Sequence, residues 1–292
     1  MKGTNLRKNT SFRYGYSPSF YKKIIRLFAK GFVKFFALNS NTIISTEICQ
    51  LINPVSQVDF YGHKLHFKSG HGRLRWRAQT FHSEEPLMMK WLKSFKNDDI
   101  FLDVGANVGT YSIPAAKIAN KVIAIELDPA NIYCLHTNIF INKLQDKVLT
   151  IPIASGSSKD VQDIFYRDFS IGDALQSVGR DQVLPTNRPN PFKISQLIYP
   201  IDDIFKDFKL PQPTKVKIDV DGNESIVTKG AWNVLSKAEE IYFEDNGMEE
   251  DLYIINNLKE KGFEIKDEMP SIVGSVKSDI ARNLVMKRIT SN

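Results

Sequence analysis

Cysteine is scarce in this chain, and long apolar runs are missing from it. The 292 residues include only two cysteines, Cys49 and Cys134. Because they lack a metal-ligand spacing, they exclude a disulfide framework and a cysteine-based zinc site, and they favour a reducing compartment. No apolar run approaches the ~20 residues of a membrane-spanning helix, and no secretory signal peptide opens the sequence. We therefore expect a cytoplasmic protein for which any membrane contact is peripheral.

Acidic residues are nearly absent from the first part of the sequence. Residues 1–82 contain 14 lysines and arginines but only two acids, Glu47 and Asp59, so their net charge is +12. Residues 83–292 carry the other 25 bases and 31 acids, for a net charge of −6. The overall charge therefore combines a basic front part with an acidic domain. We predict three regions: a basic N-terminal extension at 1–50, a hairpin-like lead-in at 51–82 and the main domain at 83–292.

Residues 19–38 have the spacing of an amphipathic helix. Apolar residues recur on one face, and basic residues follow each other at i, i+4 on the other. Such a helix can lie in an anionic membrane surface, bind a polyanion, or pack on the protein with its basic face outward. The apolar positions are Phe20, Ile24, Leu27, Phe28, Phe35 and Leu38, and the basic positions are Lys22, Arg26, Lys30 and Lys34.

The lead-in has the pattern of a β-hairpin. Residues 58–67 and 73–81 predict its two strands, joined by the glycine-containing residues 69–72. Alternation would place Arg73, Arg75 and Arg77 on one strand face. A row of guanidinium groups suits an anionic glycan or a phosphate, or it forms an ordinary solvated face.

The most informative segment runs from residue 99 to residue 112. Residues 100–104 predict a buried parallel strand. Gly105 and Gly109 bracket a turn, and residues 110–119 predict a helix that tolerates Pro114 in its first turn. A strand, a glycine turn and a helix in this order form a nucleotide-type binding crevice at the carboxyl end of the strand.

One glycine of the dinucleotide fingerprint is absent from this turn. A dinucleotide site has Gly-x-Gly-x-x-Gly, whereas Asn107 follows Gly105 and Ala106 here. Asp103 ends the strand, where it disfavours a pyrophosphate but suits the ammonium and sulfonium groups of S-adenosylmethionine. Glu126 ends the next predicted strand, 121–125, and can accept hydrogen bonds from both ribose hydroxyls. The cofactor prediction is S-adenosylmethionine, and a nicotinamide-dependent oxidoreductase is the disfavoured alternative. The predicted cofactor residues are Asp103, Gly105, Asn107, Gly109, Glu126 and, beyond the third strand, Ser155.

Alternating strands and helices predict the fold class. We expect an α/β protein with the Rossmann-like sheet of class I methyltransferases and helices on both faces. The carboxyl end of the third strand, near Ser155, should face the adenine. Residues 167–193 combine prolines and glycines and predict a lid over the acceptor. The remaining predicted elements are strands at 148–153, 215–218, 240–243, 263–267 and 283–287 and helices at 224–235 and 252–261.

Acidic residues follow the predicted fourth strand. Methyl transfer is an in-line displacement that depends on positioning, and an alcohol acceptor must also lose its proton. We predict that Asp219 orients or deprotonates the acceptor hydroxyl, with Asp221 and Glu224 in support. The alternative is that these acids cap the next helix or bind backbone N–H groups.

A metal-dependent reaction is a second alternative. Asp219, Asp245 and Asn246 resemble the metal ligands of catechol-type O-methyltransferases, and oxygen ligands of this kind suit Mg²⁺ or Ca²⁺. Those enzymes place a lysine three residues after the first aspartate, whereas this chain has Gly222 there. The sequence leaves the metal requirement open.

Four segments together resemble the FkbM family of S-adenosylmethionine-dependent methyltransferases. Residues 103–109 are similar to its first motif, 80–92 to its Glu-Pro helix start, 197–204 to its Leu-Asp-Asp-Leu segment and 216–224 to Ile-Lys-Ile-Asp-Val-Glu-Gly-x-Glu. Asp221 stands where the family often has glutamate. The resemblance implies O-methylation, often of a sugar, polysaccharide or secondary metabolite, and it does not fix the acceptor. We expect a small-molecule or glycan acceptor rather than a nucleic acid. A non-catalytic scaffold that binds membrane or polyanion is the remaining alternative.

Overall fold

The computed structural model describes residues 24–25, 27–32, 34, 52–166, 169–174, 176–179, 192–220, 222–273 and 276–289. Two compact units are distinguished within it. One comprises Met1–Asn53 with Val273–Val276, and the other comprises Pro54–Ile272 with Lys277–Asn292. Asp221, Cys49 and much of the predicted lid lie outside the described residues.

A seven-stranded sheet forms the centre of the larger unit. Its strand order is β5-β4-β3-β10-β11-β13-β12. The first five strands in this order are parallel, and β13 runs antiparallel to β11. Because the strand order reverses between β3 and β10, a crevice opens at the carboxyl ends of these two strands. The strands are β3 (Ile100–Val104), β4 (Lys121–Ile125), β5 (Val148–Ile151), β10 (Lys215–Ile218), β11 (Glu240–Asp245), β12 (Phe263–Val273) and β13 (Val276–Arg288).

Buried side chains on both faces of this sheet explain the helices that cover it. In β3, Phe101 packs into one apolar cluster, whereas Leu102 packs into the cluster on the opposite face. In β4, Val122 and Ile123 divide in the same way. A strand buried on both faces has the continuous apolar run that predicted it. The Rossmann-like fold with helices on both faces is confirmed.

The described residues of the larger unit form eight helices. The helices after β3, β4, β10 and β11 follow the alternating order that the sequence predicts. They are α1 (Gly72–Thr80), α2 (Pro86–Lys93), α3 (Ser112–Ile118), α4 (Pro129–Ile141), α5 (Ile201–Asp207), α6 (Glu224–Lys229), α7 (Trp232–Leu235) and α8 (Glu249–Glu260).

The predicted hairpin is wrong in its placement. The hairpin joins β1 (Val55–Phe60) to β2 (His63–Lys68), and the residues predicted as its second strand form α1. Tyr61 and Gly62 both have positive φ, +49° and +88°, as a two-residue turn of the type I′ class requires. This turn closes the hairpin earlier than predicted. The row of arginines therefore lies on a helix.

The side chains of α1 explain the correction. His71 caps the helix by accepting a hydrogen bond from the backbone N–H of Arg73 at 3.4 Å. Arginine, leucine, alanine and glutamine are good helix formers. Four residues apart, Arg73 and Arg77 lie on one side of the helix, and Arg73 forms an ion pair with Asp173 at 3.2 Å. The arginines thus do not form the flat strand-face ladder that the sequence suggested.

The predicted helix at 224–235 is divided into α6 and α7. Gly230 lies between them against the backbone of Gly156, where a Cβ at residue 230 would come within 2.0 Å of the carbonyl oxygen. The carbonyl of Gly230 accepts a hydrogen bond from the backbone N–H of Asp202 at 2.8 Å. The Gly230 carbonyl thus bonds outside the helix, and the helix ends at Lys229.

A second sheet was not predicted. Its strand order is β6-β9-β7-β8. Ser155 lies in β6, and described residues of the predicted lid form β8 and the start of β9. Residues 152–155 therefore leave the central sheet, so β5 is shorter than the predicted third strand. The strands are β6 (Ala154–Ser155), β7 (Asp160–Tyr166), β8 (Ser177–Val178) and β9 (Phe192–Tyr199).

The smaller unit contains the described part of the predicted amphipathic helix. Residues 24–25, 27–32 and 34 are helical, and the other positions of 19–38 lie outside the described residues. Leu27 and Phe28 are 72% and 76% exposed. Across the described ranges, every helix is too short or too polar to cross a membrane.

Candidate active site

A cleft opens at the carboxyl ends of β3, β4 and β10. The space within it, which is open to solvent, measures about 520 Å³. Its position between β3 and β10 is the point where the strand order reverses, as expected for an α/β ligand site. Five of the predicted site residues line it: Gly105, Asn107, Glu126, Ser155 and Asp219.

The turn after β3 depends on two glycines with left-handed backbone conformations. Gly105 has a φ of +79° and Gly109 a φ of +85°, which residues with a Cβ rarely adopt. A Cβ at residue 105 would lie 1.9 Å from the carbonyl oxygen of Asp219, and one at residue 109 would lie 2.6 Å from Leu135 Cδ1. The turn is therefore packed tightly between β10 and α4.

Asn107 shapes the turn through both of its side-chain groups. Its φ is +52°, a conformation that asparagine tolerates better than most residues. Its Nδ2 donates to the carbonyl of Asp173 at 2.8 Å, and its Oδ1 accepts from the backbone N–H of Val108 at 2.9 Å. Asn107 thus ties the glycine turn to residues 169–174, the described start of the predicted lid.

Glu126 follows β4 and is buried at the wall of the cleft. Its Oε2 accepts from the backbone N–H of Asn107 at 2.7 Å, and its Oε1 accepts from that of Asp128 at 2.8 Å. Burial raises the pKa of Glu126 to about 7, although both backbone hydrogen bonds oppose the shift. Each carboxylate oxygen has a second lone pair. Glu126 can therefore still accept hydrogen bonds from ribose hydroxyls.

Ser155 contributes an unsatisfied hydroxyl to the same cleft. Its Oγ is buried and has no hydrogen-bond partner within the described part of the chain. A buried polar atom without a partner carries a free-energy cost that a ligand can remove. The glycine turn, the Glu126 carboxylate and this hydroxyl fit a nucleoside such as that of S-adenosylmethionine.

Asp103 lies behind the cleft rather than in its lining. It is fully buried, and its Oδ2 accepts from Ser112 Oγ at 2.6 Å. Its Oδ1 lies 3.5 Å from Lys217 Nζ. The described structure thus places Asp103 in an ion-pair network under the glycine turn, where the sequence pattern suggested a direct contact with the cofactor.

Asp219 joins that network to the cleft. Its side chain is 37% exposed, and its Oδ2 lies 3.0 Å from Nζ of the buried Lys217. Burial opposes the charge of Lys217, but Asp219, Asp103 and Glu85 together raise the pKa of this lysine above its usual value. The site therefore contains an ion pair in which Lys217 is buried and Asp219 faces the cleft.

Lys217 is a site residue that the sequence reading missed. It lies between Val216 and Ile218 in β10, a strand buried at all four of its residues. A lysine within a buried parallel strand is a recognisable signal, because lysine is almost never fully buried without a charged partner. Of its partners, Asp103 lies directly opposite Lys217 on the neighbouring strand β3, and Asp219 directly follows β10.

Glu224 takes the structural role that the sequence left open. At the start of α6, its Oε1 accepts from the backbone N–H groups of Val220 at 3.1 Å and Gly222 at 3.2 Å. Burial raises the pKa of Glu224 to about 7. Glu224 thus stabilises the turn after β10, and its side chain does not line the cleft.

The acids of β11 have partners of their own. Glu244 accepts a hydrogen bond from Ser271 Oγ, and burial raises its pKa to about 7. Asp245 accepts from Arg282 Nε at 2.9 Å and from the backbone N–H of Gly247 at 2.9 Å. The Asp245 carboxylate is therefore bonded to a guanidinium group and to the backbone of a turn. These bonds argue against Asp245 as a metal ligand beside Asp219.

A second unpredicted group lies beside Asp219. Glu85 accepts from Tyr111 Oη at 2.6 Å and from Tyr242 Oη at 2.9 Å. Burial, followed by the charge of Asp219, raises the pKa of Glu85. The sequence indicated Glu85 only as part of a helix start, because its partner Tyr242 is 157 residues away.

Residues 78–171 match the family model described as the TRM5/TYW2 methyltransferase domain. The chain contains a methyltransferase domain. The enzyme class predicted from the sequence is confirmed, and S-adenosylmethionine is the cofactor of that class. The matched segment includes the glycine turn and Glu126 but ends before β10 and Asp219.

Two kinds of curated relative resemble the methyltransferase domain. A hexuronic acid methyltransferase, AglP of Haloferax volcanii, is 28% identical over 162 residues, which is 55% of this chain and 61% of the relative. The tRNA (guanine(37)-N(1))-methyltransferase Trm5b of Methanocaldococcus jannaschii is 40% identical over 60 residues, 20% of this chain and 18% of the relative. The chain thus spans less than two thirds of either relative's length.

A solved structure of methyltransferase FkbM from Methylobacillus flagellatus aligns with this chain at a TM-score of 0.44 and 16% identity. The alignment covers 65% of this chain and 44% of the FkbM chain. The tRNA m1G37 methyltransferase of M. jannaschii has a TM-score of 0.43 and 15% identity, covering 82% and 58%.

Proposed function

We propose that this chain is an FkbM-like O-methyltransferase that transfers a methyl group from S-adenosylmethionine to a hydroxyl of a sugar, polysaccharide or related metabolite. One observation carries the proposal. Asp219 presents a partly exposed carboxylate to the same cleft that Glu126 and Ser155 line. A carboxylate that can act as a base thus lies in the same cleft as a site suited to a nucleoside. This arrangement fits methyl transfer to the oxygen of a hydroxyl group.

Three groups of the chain are suited to hold the cofactor. The glycine turn at residues 105–109 leaves room for a close approach to its backbone. Glu126 accepts hydrogen bonds from the ribose, and the unpartnered hydroxyl of Ser155 bonds to the adenosine portion. When bound, S-adenosylmethionine supplies a methyl group activated by a sulfonium.

Asp219 acts on the acceptor. Its carboxylate accepts a hydrogen bond from the acceptor hydroxyl, orients the oxygen and takes up its proton. Lys217, 3.0 Å away, fixes the position of that carboxylate from below. Because Lys217 is buried and Asp219 is partly exposed, the ion pair leaves one side of the Asp219 carboxylate open to the acceptor.

The charge around Asp219 supports a sugar acceptor over a nucleic acid. The pKa of Glu244 is raised by burial and, in addition, by the nearby charges of Asp219, Glu85 and Glu224. These carboxyl groups can form hydrogen bonds with the hydroxyls of a sugar, whereas nucleic-acid sites use basic groups to bind phosphates. The similarity to a hexuronic acid methyltransferase also supports a sugar.

Methylation of tRNA is the second candidate, because the family match and several relatives are tRNA methyltransferases. The family match ends at residue 171, before the strand that carries Asp219. It therefore supports a shared cofactor site more than a shared acceptor.

Methyl-labelled S-adenosylmethionine distinguishes the two candidates. We would offer the full chain neutral glycans, uronic-acid glycans and unmodified tRNA transcripts, and measure label in each acceptor. We expect transfer to a glycan, with the label stable as an ether. Transfer to tRNA alone would overturn the proposal in favour of the second candidate.

A further inference from the structure

Large apolar side chains are exposed on the N-terminal helical segment, residues 24–25, 27–32 and 34. Leu27 and Phe28 are 72% and 76% exposed, and Phe32 and Ile25 are 54% and 49% exposed. Single exposed apolar residues are common on protein surfaces, whereas contiguous groups mark interaction sites. The described residues that line the methyltransferase cleft all lie between Val104 and Val227, outside this segment.

The exposed residues lie on one side of the helix. At 100° per residue, Ile24, Phe28 and Phe32 follow each other at i, i+4 steps, and Ile25 and Leu27 flank them. Together they cover an arc of about 160°. Lys30 lies on the opposite side, and Lys34 lies at the border of the arc. The sequence pattern of an amphipathic helix is thus present in the described backbone.

The positive net charge of the N-terminal segment indicates the chemistry of the surface that its apolar face binds. The sequence of residues 1–53 has nine bases and one acid, Glu47, so the apolar face belongs to a cationic segment of the chain. An apolar face on a cationic segment, with Lys34 at its border, suits a surface that offers both hydrocarbon and negative charge, and an anionic lipid bilayer offers both. Lysine stems can extend from the boundary of such a face toward the headgroups.

We propose that residues 24–34 form an interfacial helix that binds the chain to an anionic membrane surface. The apolar face enters the boundary between headgroups and acyl chains, and the lysines bind the headgroups. Neither contribution suffices alone, because a single short apolar face gives marginal binding and surface charge is screened by salt. This inference is independent of the acceptor proposed above.

The test is co-sedimentation of the full chain with vesicles of phosphatidylcholine, with and without phosphatidylserine. We expect binding only with phosphatidylserine and a loss of binding at high salt. Replacing Phe28 with aspartate (F28D) should lower the vesicle partition coefficient by about tenfold or more, since a Phe leaves the apolar phase and a negative charge enters it.

The matched control is Phe140→Asp. Phe140 is 77% exposed at the end of α4, so its exposure equals that of Phe28, but it lies outside the helical segment. We expect this variant to bind vesicles like the parent chain. Calorimetry with S-adenosylmethionine, run on both variants, verifies that each is folded.

Three outcomes would overturn the proposal. Equal binding by the parent chain and F28D would remove the apolar face from the interaction. Binding to phosphatidylcholine alone would remove the anionic requirement. A concentration-dependent dimer in sedimentation velocity, lost in F28D and accompanied by no vesicle binding, would assign the face to a second copy of the chain.

Discussion

Gly105 and Asp219 approach each other so closely that no side chain fits between them: a Cβ at residue 105 would lie 1.9 Å from the Asp219 carbonyl oxygen. The two residues follow neighbouring strands, β3 and β10. The backbone of the cofactor turn and the residue proposed as the base are therefore held at a fixed separation.

Replacing Gly105 with alanine should reduce both stability and cofactor affinity. The positive φ alone disfavours alanine by about 1–2 kcal/mol, and the contact with the Asp219 carbonyl forces the backbone to move as well. The matched control is Gly62→Ala, because Gly62 also has a positive φ, +88°, but has nothing within 4 Å of its ideal Cβ. Denaturant unfolding of both variants separates the free-energy cost of the positive φ from that of the steric overlap with Asp219. Equal losses would contradict the close approach.

Replacing Glu126 with alanine should weaken S-adenosylmethionine binding by roughly 1–3 kcal/mol, the scale of a hydrogen bond to a charged group. Calorimetry measures the affinity, and circular dichroism checks the fold. The exposed Glu264 provides the control substitution, Glu264→Ala, which should bind the cofactor normally. Unchanged affinity in Glu126→Ala would remove Glu126 from the cofactor site.

The stability of the ligand-free protein should fall as the pH rises from about 4.5 to about 7. Burial raises the pKa of Glu126, Glu224 and Glu244 to about 7. Their folded-state pKa values thus exceed the unfolded value of 4.5, so the folded state binds more protons between these limits, and stability is lost as they ionise. Each group contributes up to about 3 kcal/mol.

Glu244→Gln tests this pH dependence outside the proposed cofactor contacts. Glutamine cannot ionise, so the free energy of unfolding should depend less on pH than in the parent chain. Glu264→Gln, at an exposed position, should leave the dependence unchanged. A parallel response of the two variants would mean that Glu244 does not titrate in this range.

Asp219→Asn should lower methyl transfer by about 10²–10⁴-fold if the carboxylate takes the proton, with cofactor affinity nearly unchanged. Asp146→Asn, at an exposed position, is the control. A rate near that of the parent chain would leave positioning as the main source of catalysis. Loss of activity with a chelator, restored by Mg²⁺, would instead support the metal-dependent alternative.

Lys217→Met should destabilise the fold by roughly 3–5 kcal/mol, because Asp103 would be buried without its cation. The double variant Lys217→Met, Asp103→Asn removes both charges and should recover part of that loss. Chemical unfolding of the single and double variants gives the comparison. No recovery would show that the ion pair with Asp103 is not what Lys217 stabilises.

The sequence predicted the central strands because their residues are apolar on both faces. Lys121–Ile125 and Lys215–Ile218 have the predicted bounds, and the glycine turn lies between β3 and α3 as expected. The strand predicted at residues 73–81 is wrong, because basic and apolar residues alternate at 73–77 although the backbone there is helical. Over so few residues, the periods of a strand and a helix overlap.

The network behind the cleft could not be predicted, because its partners are distant in sequence. Glu85 and Tyr242 are 157 residues apart, and no local pattern joins them. The role of Glu224 illustrates a different limit. The spacing predicts that it lies near Asp219, but only the backbone conformation of residues 220–222 decides that its carboxylate bonds to N–H groups there.

The pairing of β3 with β10 has a consequence for how the chain reaches its native state. Ile100 donates a backbone hydrogen bond to Thr214 Oγ1, 114 residues away, so the crevice closes only after a long loop has been ordered. Contacts of such large sequence separation slow folding. During synthesis, the glycine turn emerges from the ribosome well before the strand that completes its wall. A nascent chain therefore exposes an open sheet edge at β3 until β10 arrives, and this interval is when aggregation or chaperone capture competes with folding.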